Sequence, residues 1–383
     1  MSVIDFSFTK EQNEYRSEVI RFSKEVLNIH PNENGFSRKM WKEVSDFGLL
    51  GMMVGESYGG MGESYLTTAI SMEALGYACK NNGFVFAIGN HIWAAQNLID
   101  LYGSDYLKEK YLRKMIVGEC IGAFALTEAE AGSDSMNIST KAVAEGDSYI
   151  LNGNKIFISN GTIADIFILL AVTNDKPRRV TAFVVENSFS GLSVGKEIGK
   201  LGLKDCPTSE VILTNCRIPK ENILGYVDRG ENIITAALEW ERCFEFAPHI
   251  GTMNRVMEQC IKYVNERKQF DQYIKKFQAI SHKIADMKVS IEMSLQMLYK
   301  IAWLKDNGKT AFLEASIFKL FVSEHYIKLC QDALQIFGAY GYSTEYEIER
   351  ELRDSLASSI YSGTSEIQRN TIFNLSMLSP YLS

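Results

Sequence analysis

Proline is scarce in this chain, which has only six prolines among 383 residues, far below the usual share of about 5%. None lies between Pro31 and Pro177 or between Pro248 and Pro380, and three are grouped from Pro177 to Pro219. Because proline lacks an amide hydrogen and its ring clashes with the preceding helical turn, it is excluded from helix interiors. The distribution therefore predicts helical regions towards both ends of the chain and a different structure between them.

Long apolar runs, a secretory signal and a basic surface are also missing. The best apolar run, residues 166–172, is far shorter than the roughly 18–20 residues of a membrane helix. The first residues lack a charged segment followed by an apolar one, which argues against a secretory signal. The net charge of −7 offers no basic stripe to phosphates. We therefore expect a cytoplasmic protein with neither a membrane nor a nucleic acid as its partner.

Common catalytic and metal-binding motifs are absent as well. The seven cysteines are an odd number without a CxxC pair, and the five histidines have no ligand spacing. We therefore expect reduced core thiols and no metal site. No P-loop, GxGxxG or HExxH sequence occurs, which excludes the commonest signatures of nucleotide-binding proteins and zinc proteases.

The patterns that are present divide the chain into helical, β and helical parts. Thr9 and Gln12 have the spacing of a capping box, and Ser37, Ser64 and Ser104 are typical N-caps. Short apolar segments predict strands from residue 121 onwards, at 142–144, 149–151, 155–158, 166–172, 179–186 and 210–213, with tight turns at 146–147 and 152–154. Helical spacing returns from residue 232, over 233–264, 277–305 and 310–337.

Several segments that are weak individually occur together in one order. They are residues 125–134 (ALTEAEAGSD), 155–161 (KIFISNG), 241–242 (ER), 265–270 (NERKQF), 277–278 (FQ), 335–338 (QIFG) and 361–369 (YSGTSEIQR). In this order and spacing they resemble the acyl-CoA dehydrogenase family across essentially the whole chain. The resemblance implies an α+β fold with an N-terminal helical domain (residues 1–120), a middle β-barrel or sheet domain (121–227) and a C-terminal four-helix bundle (228–383).

The resemblance also implies an FAD cofactor, bound in an extended pose between the β domain and the bundle of a homotetramer. The positions that match flavin-side contacts are Phe124, Leu126, Thr127, Phe157 and Ser159. Phe157 takes the place of a usual Trp beside the flavin, and Ser159 that of a Thr that bonds near N5. The alternative for Phe157 is ordinary core packing.

Further positions match the rest of the cofactor. Gly132 and Ser133 match residues that face the pyrophosphate or the pantetheine arm of the substrate, and Thr364 and Glu366 match a loop that contacts the cofactor. The positions that match contacts to the ADP portion, partly across a subunit interface, are Arg267, Phe270, Gln278, Gln335 and Gly338. Core packing is the alternative for Phe270, but Arg267 is harder to explain in that way, since a charge inside a bundle needs an anionic partner.

The catalytic base departs from the usual family pattern. Most members carry it as a Glu immediately before the Gly-Thr of the last motif, where this chain has Ser362, and a serine hydroxyl cannot remove an α-proton unaided. Glu241 matches the base position of the isovaleryl-CoA dehydrogenase branch, whose last motif also lacks that Glu. The alternative is that Glu241 pairs with Arg242 or lies on a solvated helix face. With Glu241 as base, Ser133, Arg242, Ser362 and Gly363 are the expected substrate contacts.

Four segments narrow the substrate further. Residues 160–167 (NGTIADIF), 205–210 (DCPTSE), 240–241 (WE) and 361–364 (YSGT) are similar to the prolyl–carrier-protein dehydrogenase branch, although Lys204 stands where many members have Arg. The branch oxidises an L-prolyl thioester on an acyl or peptidyl carrier protein to a pyrroline, as in routes to anatoxin-type alkaloids, or onwards to a pyrrole. A short- or branched-chain acyl-CoA dehydrogenase of the isovaleryl type and a non-catalytic flavin-binding scaffold stay open as alternatives, as do oxygen and an electron-transfer protein as the electron acceptor.

Overall fold

A group of helices forms the N-terminal part of the computed structural model, which describes residues 7–29 and 35–378. Pro31 and Pro380 lie outside the described residues. The helices are α1 (Lys10–Glu25), α2 (Arg38–Asp46), α3 (Tyr65–Ala78), α4 (Asn82–His91), α5 (Asn97–Tyr102) and α6 (Asp105–Ile116). A first π-helical segment, Ile92–Gln96, joins α4 to α5.

The predicted helix starts are confirmed. Thr9 and Gln12 form a capping box at α1, in which each side chain accepts a hydrogen bond from the other residue's backbone N–H. Ser37, Ser64 and Ser104 each accept a hydrogen bond from a backbone N–H in the first turn of α2, α3 and α6. These caps satisfy amides that a helix leaves without partners, which is why a short polar residue precedes each helix.

The middle of the chain forms one twisted sheet. Its strands are β1 (Gly122–Ala125), β2 (Lys141–Glu145), β3 (Ser148–Ser159), β4 (Ile166–Asp175), β5 (Arg178–Glu186), β6 (Leu192–Val194), β7 (Thr208–Pro219) and β8 (Ile223–Leu224). Their order is β6-β7-β3-β2-β4-β5-β8, and β1 pairs in parallel with β4. A separate apolar cluster, which includes Phe167, Leu169, Phe183 and Val211, fills one face of the sheet.

The tight turn predicted at residues 152–154 is wrong, because β3 runs through them without interruption. The pairing of β3 with β7 changes register between Leu151 and Gly153, as in a β-bulge. A Cβ atom at position 153 would lie 2.3 Å from the Thr140 Oγ1 atom. Gly153 therefore marks a close approach of neighbouring chain segments rather than the end of a strand.

Helices return after the sheet. They are α7 (Gly230–Trp240), α8 (Ala247–Glu266), α9 (Gln278–Asp306), α10 (Phe312–Phe337), α11 (Ala339–Tyr342), α12 (Ile348–Ser355) and α13 (Ser365–Leu378). A second π-helical segment, Glu241–Glu245, separates α7 from α8 within the predicted helical stretch 233–264. A short hairpin, β9 (Lys268–Gln269) and β10 (Gln272–Tyr273), lies between α8 and α9.

The N-terminal and C-terminal helices share one apolar core. Helices α3 and α8 meet so closely that a Cβ atom at Gly76 would lie 1.9 Å from the carbonyl oxygen of Pro248. Arg255 of α8 spans this contact, donating to the Gly76 carbonyl at 2.6 Å and to the Glu351 carboxylate of α12 at 3.1 Å. The same packing brings α4 against the second π-helical segment.

All seven cysteines are buried. Within residues 7–29 and 35–378, no helix has both the length and the apolar character needed to cross a membrane. The same residues contain no group of three or more His, Cys, Asp or Glu side chains arranged to hold a metal ion.

Candidate active site

Glu241 and Ser362, which lie 121 residues apart in the sequence, meet in the fold. The Ser362 hydroxyl donates to the Glu241 Oε2 atom at 2.7 Å. Arg242 does not simply neutralise Glu241, because its buried guanidinium donates through Nε to the Ser362 carbonyl oxygen at 3.0 Å. The structure thus places the predicted replacement base beside the position that the usual family base would occupy.

The surroundings of Glu241 favour a base of increased strength. It is the first residue of the second π-helical segment, and such segments are frequent at functional sites. Burial raises the pKa of the Glu241 carboxyl, while the Ser362 hydroxyl and the Arg242 charge oppose the rise. A carboxylate whose pKa is raised towards neutrality accepts a proton more readily than one in water. The solvated helix face considered as an alternative is therefore not where this carboxylate lies.

The loop around Ser362 is held in an unusual backbone conformation. Ser362 and Gly363 both have positive φ values, of 53° and 88°. The Gln368 side chain donates to both of their carbonyl oxygens, at 3.1 and 2.9 Å. Tyr361 is hydrogen-bonded to His249. Strain of this kind persists only where surrounding contacts hold it, and it is concentrated at functional sites.

Two of the predicted flavin-side segments lie together on the sheet. The Ile156 backbone N–H donates to the Thr127 carbonyl oxygen at 2.9 Å, which joins the end of β1 to the middle of β3. Leu126 is buried and Phe124 is half-buried. Phe157 is 61% exposed and has a φ of 58°, so core packing does not explain it. An exposed ring above a rigid strand is a suitable surface for a flat heteroaromatic group.

A buried ion pair lies beneath this surface. The Lys155 ammonium donates to the Glu128 carboxylate at 2.7 Å and to the Leu126 carbonyl oxygen at 3.2 Å. Glu128 also accepts from the backbone and hydroxyl groups of Ser139 and Thr140. Burial alone would raise the pKa of Glu128, but Lys155 and these donors outweigh it and lower the pKa. The pair, which we call the Lys155–Glu128 clamp, ties β3 to the segment after β1.

Ser159 and the following Asn160 connect the sheet to the helices. The Asn160 side chain donates to the Ala87 carbonyl oxygen of α4 at 2.9 Å. The neighbouring Phe86 ring packs on Tyr361 with their centroids 4.7 Å apart. This chain of contacts places the end of β3, helix α4 and the loop that carries Ser362 around one region.

The other predicted cofactor positions lie in the turn region after β1 and at the start of α13. Gly132 and Ser133 are exposed beyond a turn closed by Glu128 and Ala131, and no atom would lie within 4 Å of a Cβ at position 132. Thr364 accepts a hydrogen bond from the Ile367 N–H, and Glu366 is exposed. The open backbone at Gly132 and the exposed Phe157 ring fit a flavin dinucleotide on this side of the sheet.

A second cluster contains the residues matched to the ADP portion. Its members, all exposed, are Arg267, Phe270, Gln278, Gln335 and Gly338. Phe270 is 88% exposed at a φ of 51°, which excludes core packing. The Arg267 guanidinium lies 5.9 Å from the centre of the Tyr340 ring, which links the end of α8 to α11. Helix α8 lies between Glu241 and Arg267 along the chain and spans about 30 Å, so this cluster lies far from the contact between Glu241 and Ser362.

Three features near the candidate site have no clear signal in the sequence. The ion pair of Glu128 and Lys155 joins distant segments and leaves no periodic pattern. Glu245 is buried, but in the sequence it is one charge among others in a helical pattern. The π-helical turn itself has the same apolar spacing as a helix, so only the backbone reveals it.

Models of three domains match this chain in order. The acyl-CoA dehydrogenase N-terminal domain matches residues 9–119, the middle domain 123–216 and the C-terminal domain 228–375. Fold and site define a three-domain flavoprotein of the oxidoreductase class. The chain belongs to the acyl-CoA dehydrogenase family, whose members are FAD-dependent oxidoreductases. The predicted family, fold, enzyme class and cofactor are confirmed.

Individual relatives resemble the chain over nearly its full length. An L-prolyl-peptidyl-carrier-protein dehydrogenase of Pseudomonas fluorescens is 37% identical over 374 residues, which cover 96% of this chain and 98% of the relative. The crystal structure of the prolyl acyl carrier protein oxidase AnaB is 41% identical and has a TM-score of 0.94, covering 96% of this chain and 99% of AnaB. The FAD complex of PigA is 34% identical with a TM-score of 0.94, covering 98% of this chain and 100% of PigA.

Proposed function

We propose that the protein catalyses the FAD-dependent α,β-dehydrogenation of an L-prolyl thioester held on an acyl or peptidyl carrier protein. The product is a pyrroline thioester or, after a second oxidation, a pyrrole thioester. The observation that carries the proposal is the 2.7 Å hydrogen bond from Ser362 to Glu241, because it puts a carboxylate where the loop lacks one. Relatives named for prolyl carrier proteins support this choice of substrate.

Glu241 acts as the general base that removes the α-proton of the prolyl thioester. Desolvation raises its pKa, which brings the carboxylate closer to the strength that α-proton transfer requires. The Ser362 hydroxyl fixes the orientation of the carboxylate, and Arg242 fixes Ser362 through its carbonyl oxygen. When FAD is bound, it supplies the acceptor for the hydride from the β-carbon.

The residues around Glu241 divide between cofactor and substrate. Phe124, Leu126, Thr127, Phe157, Ser159, Thr364 and Glu366 hold the flavin side of FAD, and Gly132 and Ser133 its pyrophosphate. Ser133, Arg242, Ser362 and Gly363 contact the acyl thioester and its pantetheine arm. The exposed ring of Phe157 and the open backbone at Gly132 support this division.

The enzyme acts as a homotetramer in the cytoplasm. The distance between Glu241 and the Arg267 cluster supports an assembly in which Arg267, Phe270, Gln278, Gln335 and Gly338 of one copy hold the ADP portion of FAD bound to another. Exposed apolar side chains on α9 and α13, among them Val289 and Phe373, support contacts between copies.

A short- or branched-chain acyl-CoA dehydrogenase with the same base is the second candidate, and a non-catalytic flavin-binding scaffold is the third. Anaerobic mixing with L-prolyl carrier protein or with isovaleryl-CoA separates them, because each reaction bleaches the flavin absorbance. We expect bleaching by the prolyl thioester. Bleaching only by the CoA ester would establish the second candidate, and a yellow protein that neither thioester reduces would establish the scaffold. Mass spectrometry of the product distinguishes pyrroline from pyrrole.

The role of Glu241 as the base is tested by transferring the carboxylate to position 362. Removal of a general base typically lowers the rate by about 10²–10⁴-fold, so Glu241→Gln should retain FAD and lose activity to that extent. Adding Ser362→Glu to this variant should restore part of the rate, because the two side chains converge within 2.7 Å. Glu258→Gln, on the exposed side of α8, is the matched control. Full activity of the Glu241→Gln variant would remove Glu241 from the mechanism.

A further inference from the structure

Glu245 is a buried carboxylate without a compensating charge. It is the last residue of the second π-helical segment and only 3% exposed. Its Oε1 atom has one weak contact, to the Asn90 side-chain nitrogen at 3.5 Å. Its Oε2 atom has no hydrogen-bond partner among the described residues. An unsatisfied buried carboxylate is costly, so its presence calls for a functional reason.

The position of Glu245 relates it to the base. It follows Glu241 by four residues, close to one turn of a π-helix, so both side chains leave the segment on the same side. The opposing wall is Gly89 of α4, where a Cβ atom would lie 2.3 Å from Oε2. Burial raises the pKa of Glu245, and the charge of Glu241 adds to the rise. Two carboxylates in one desolvated region cannot both ionise cheaply without a cation between them.

Arg242 and Lys319 do not supply the positive charge that Glu245 lacks. Arg242 is occupied with the Ser362 carbonyl oxygen. The buried Lys319 ammonium lies 5.8 Å from the centre of the Phe246 ring, and no ion pair to Glu245 is formed within residues 7–29 and 35–378. A cationic ligand that enters beside Glu241 would therefore find one carboxylate free for it.

We propose that the Glu245 carboxylate binds the ring amine of the prolyl group as an ammonium ion and so selects a cyclic aminoacyl thioester over an acyl group of the same size without nitrogen. The inference rests on the proposed function. The ion pair forms either from ammonium and carboxylate or by transfer of a proton from the Glu245 carboxyl to a neutral amine, so charge and protons balance. Glu241 remains available for the α-proton.

This arrangement assigns the two acids different tasks. A positive charge on the atom next to the α-carbon makes the α-proton more acidic, and it offsets the repulsion between Glu241 and Glu245. An acyl group without an amine would leave the buried Glu245 unpaired. Sites that bury a polar group for one substrate discriminate strongly against analogues that cannot pair with it.

Equilibrium binding to the FAD-loaded enzyme tests the assignment. The probes are two unreactive analogues in which an amide replaces the thioester to the pantetheine arm. One carries L-proline and the other cyclopentanecarboxylic acid, so they differ only in the ring nitrogen. In calorimetric titrations we expect the wild type to prefer the prolyl amide. Glu245→Leu should weaken prolyl binding by about 10- to 100-fold, as for loss of a charge-assisted contact, and leave the cyclopentane amide bound as well or better. Glu245→Gln keeps the shape and an acceptor but not the charge, so its preference should be intermediate.

Glu73→Gln is the matched control, because Glu73 is also buried with a raised pKa but lies in α3 with Arg16 as its partner. It should keep the wild-type preference. If Glu245→Leu weakens both amides equally, or if the wild type binds both equally, the inference is wrong even when prolyl carrier protein bleaches the flavin. If the prolyl thioester never bleaches the wild-type flavin, it is the proposed function that fails.

Discussion

The Lys155–Glu128 clamp makes a quantitative prediction, because its two ends are supported unequally. Replacing Lys155 by Met leaves Glu128 with donors from Ser139 and Thr140, two backbone N–H groups and two hydroxyls. Replacing Glu128 by Gln keeps one acceptor oxygen but removes the negative charge, which leaves the Lys155 ammonium without an anionic partner and with the Leu126 carbonyl oxygen, at 3.2 Å, as its other contact. Both ends are buried, so neither can recover its hydration.

The expected losses follow from this inequality. Breaking a buried ion pair on one side usually costs about 3–5 kcal/mol of unfolding free energy. We assign that range to Glu128→Gln. Because hydrogen bonds to a charged group contribute about 1.5–3 kcal/mol each and Glu128 keeps four of them, Lys155→Met should cost less, about 2 kcal/mol. The double variant Lys155→Met/Glu128→Gln should lose less than the two single losses combined, since it buries no unpaired charge.

Urea unfolding at fixed pH and fixed excess FAD measures these differences, because the shift of the midpoint at constant slope gives the change in free energy. Lys110→Met, which removes a partly exposed ion pair with Glu186, is the control and should cost less than about 1 kcal/mol. A loss of unfolding free energy in Lys155→Met at least as large as that in Glu128→Gln would contradict the unequal support of the two ends. Losses in both variants no larger than in the control would contradict it as well.

Three further outcomes are expected. The lowered pKa of Glu128 contributes stability that is complete above its ordinary value of 4.5 and is lost as the pH falls from there towards about 2. In unfolding scans, Lys155→Met should therefore reduce the loss of stability over this pH range. Ser362→Ala removes a hydrogen bond that lowers the pKa of Glu241; the acidic limb of kcat against pH should move to higher pH, and an unmoved limb would disconnect Ser362 from the base. Arg267→Ala should make FAD dissociate on dilution while leaving each subunit folded, as followed by flavin fluorescence; undiminished retention would place the ADP portion elsewhere.

Local rules explain most of what the sequence predicts correctly. A capping box such as that of Thr9 and Gln12 depends on four consecutive residues, so the sequence contains all the information needed. The continuous apolar run that forms β4 is equally local. The sequence wrongly predicts a turn at residues 152–154. Gly153 is required there by its close approach to Thr140 in a neighbouring segment, and the sequence alone does not bring those residues together.

The same distinction between local and long-range information applies to the candidate site. Family resemblance makes Glu241 a candidate for the base, since a motif can be compared without a structure. It could not reveal the carboxylate of Glu245 against Gly89, or the positive φ of Phe157, because each depends on how distant segments pack in this chain. The charge of Arg267 argues against core packing in the sequence alone. For Phe270 the sequence leaves core packing open, because the exposure of an aromatic ring depends on the surrounding helices.

The contact between Ser362 and Glu241 has an evolutionary consequence. Two chain positions, one in a loop with strained backbone and one in a π-helical turn, deliver a side chain to the same point in space. A lineage can acquire the second acid before it discards the first, and no ancestor on that route has to be inactive. The fold thus fixes where an acidic group can lie more narrowly than which of the two residues provides it.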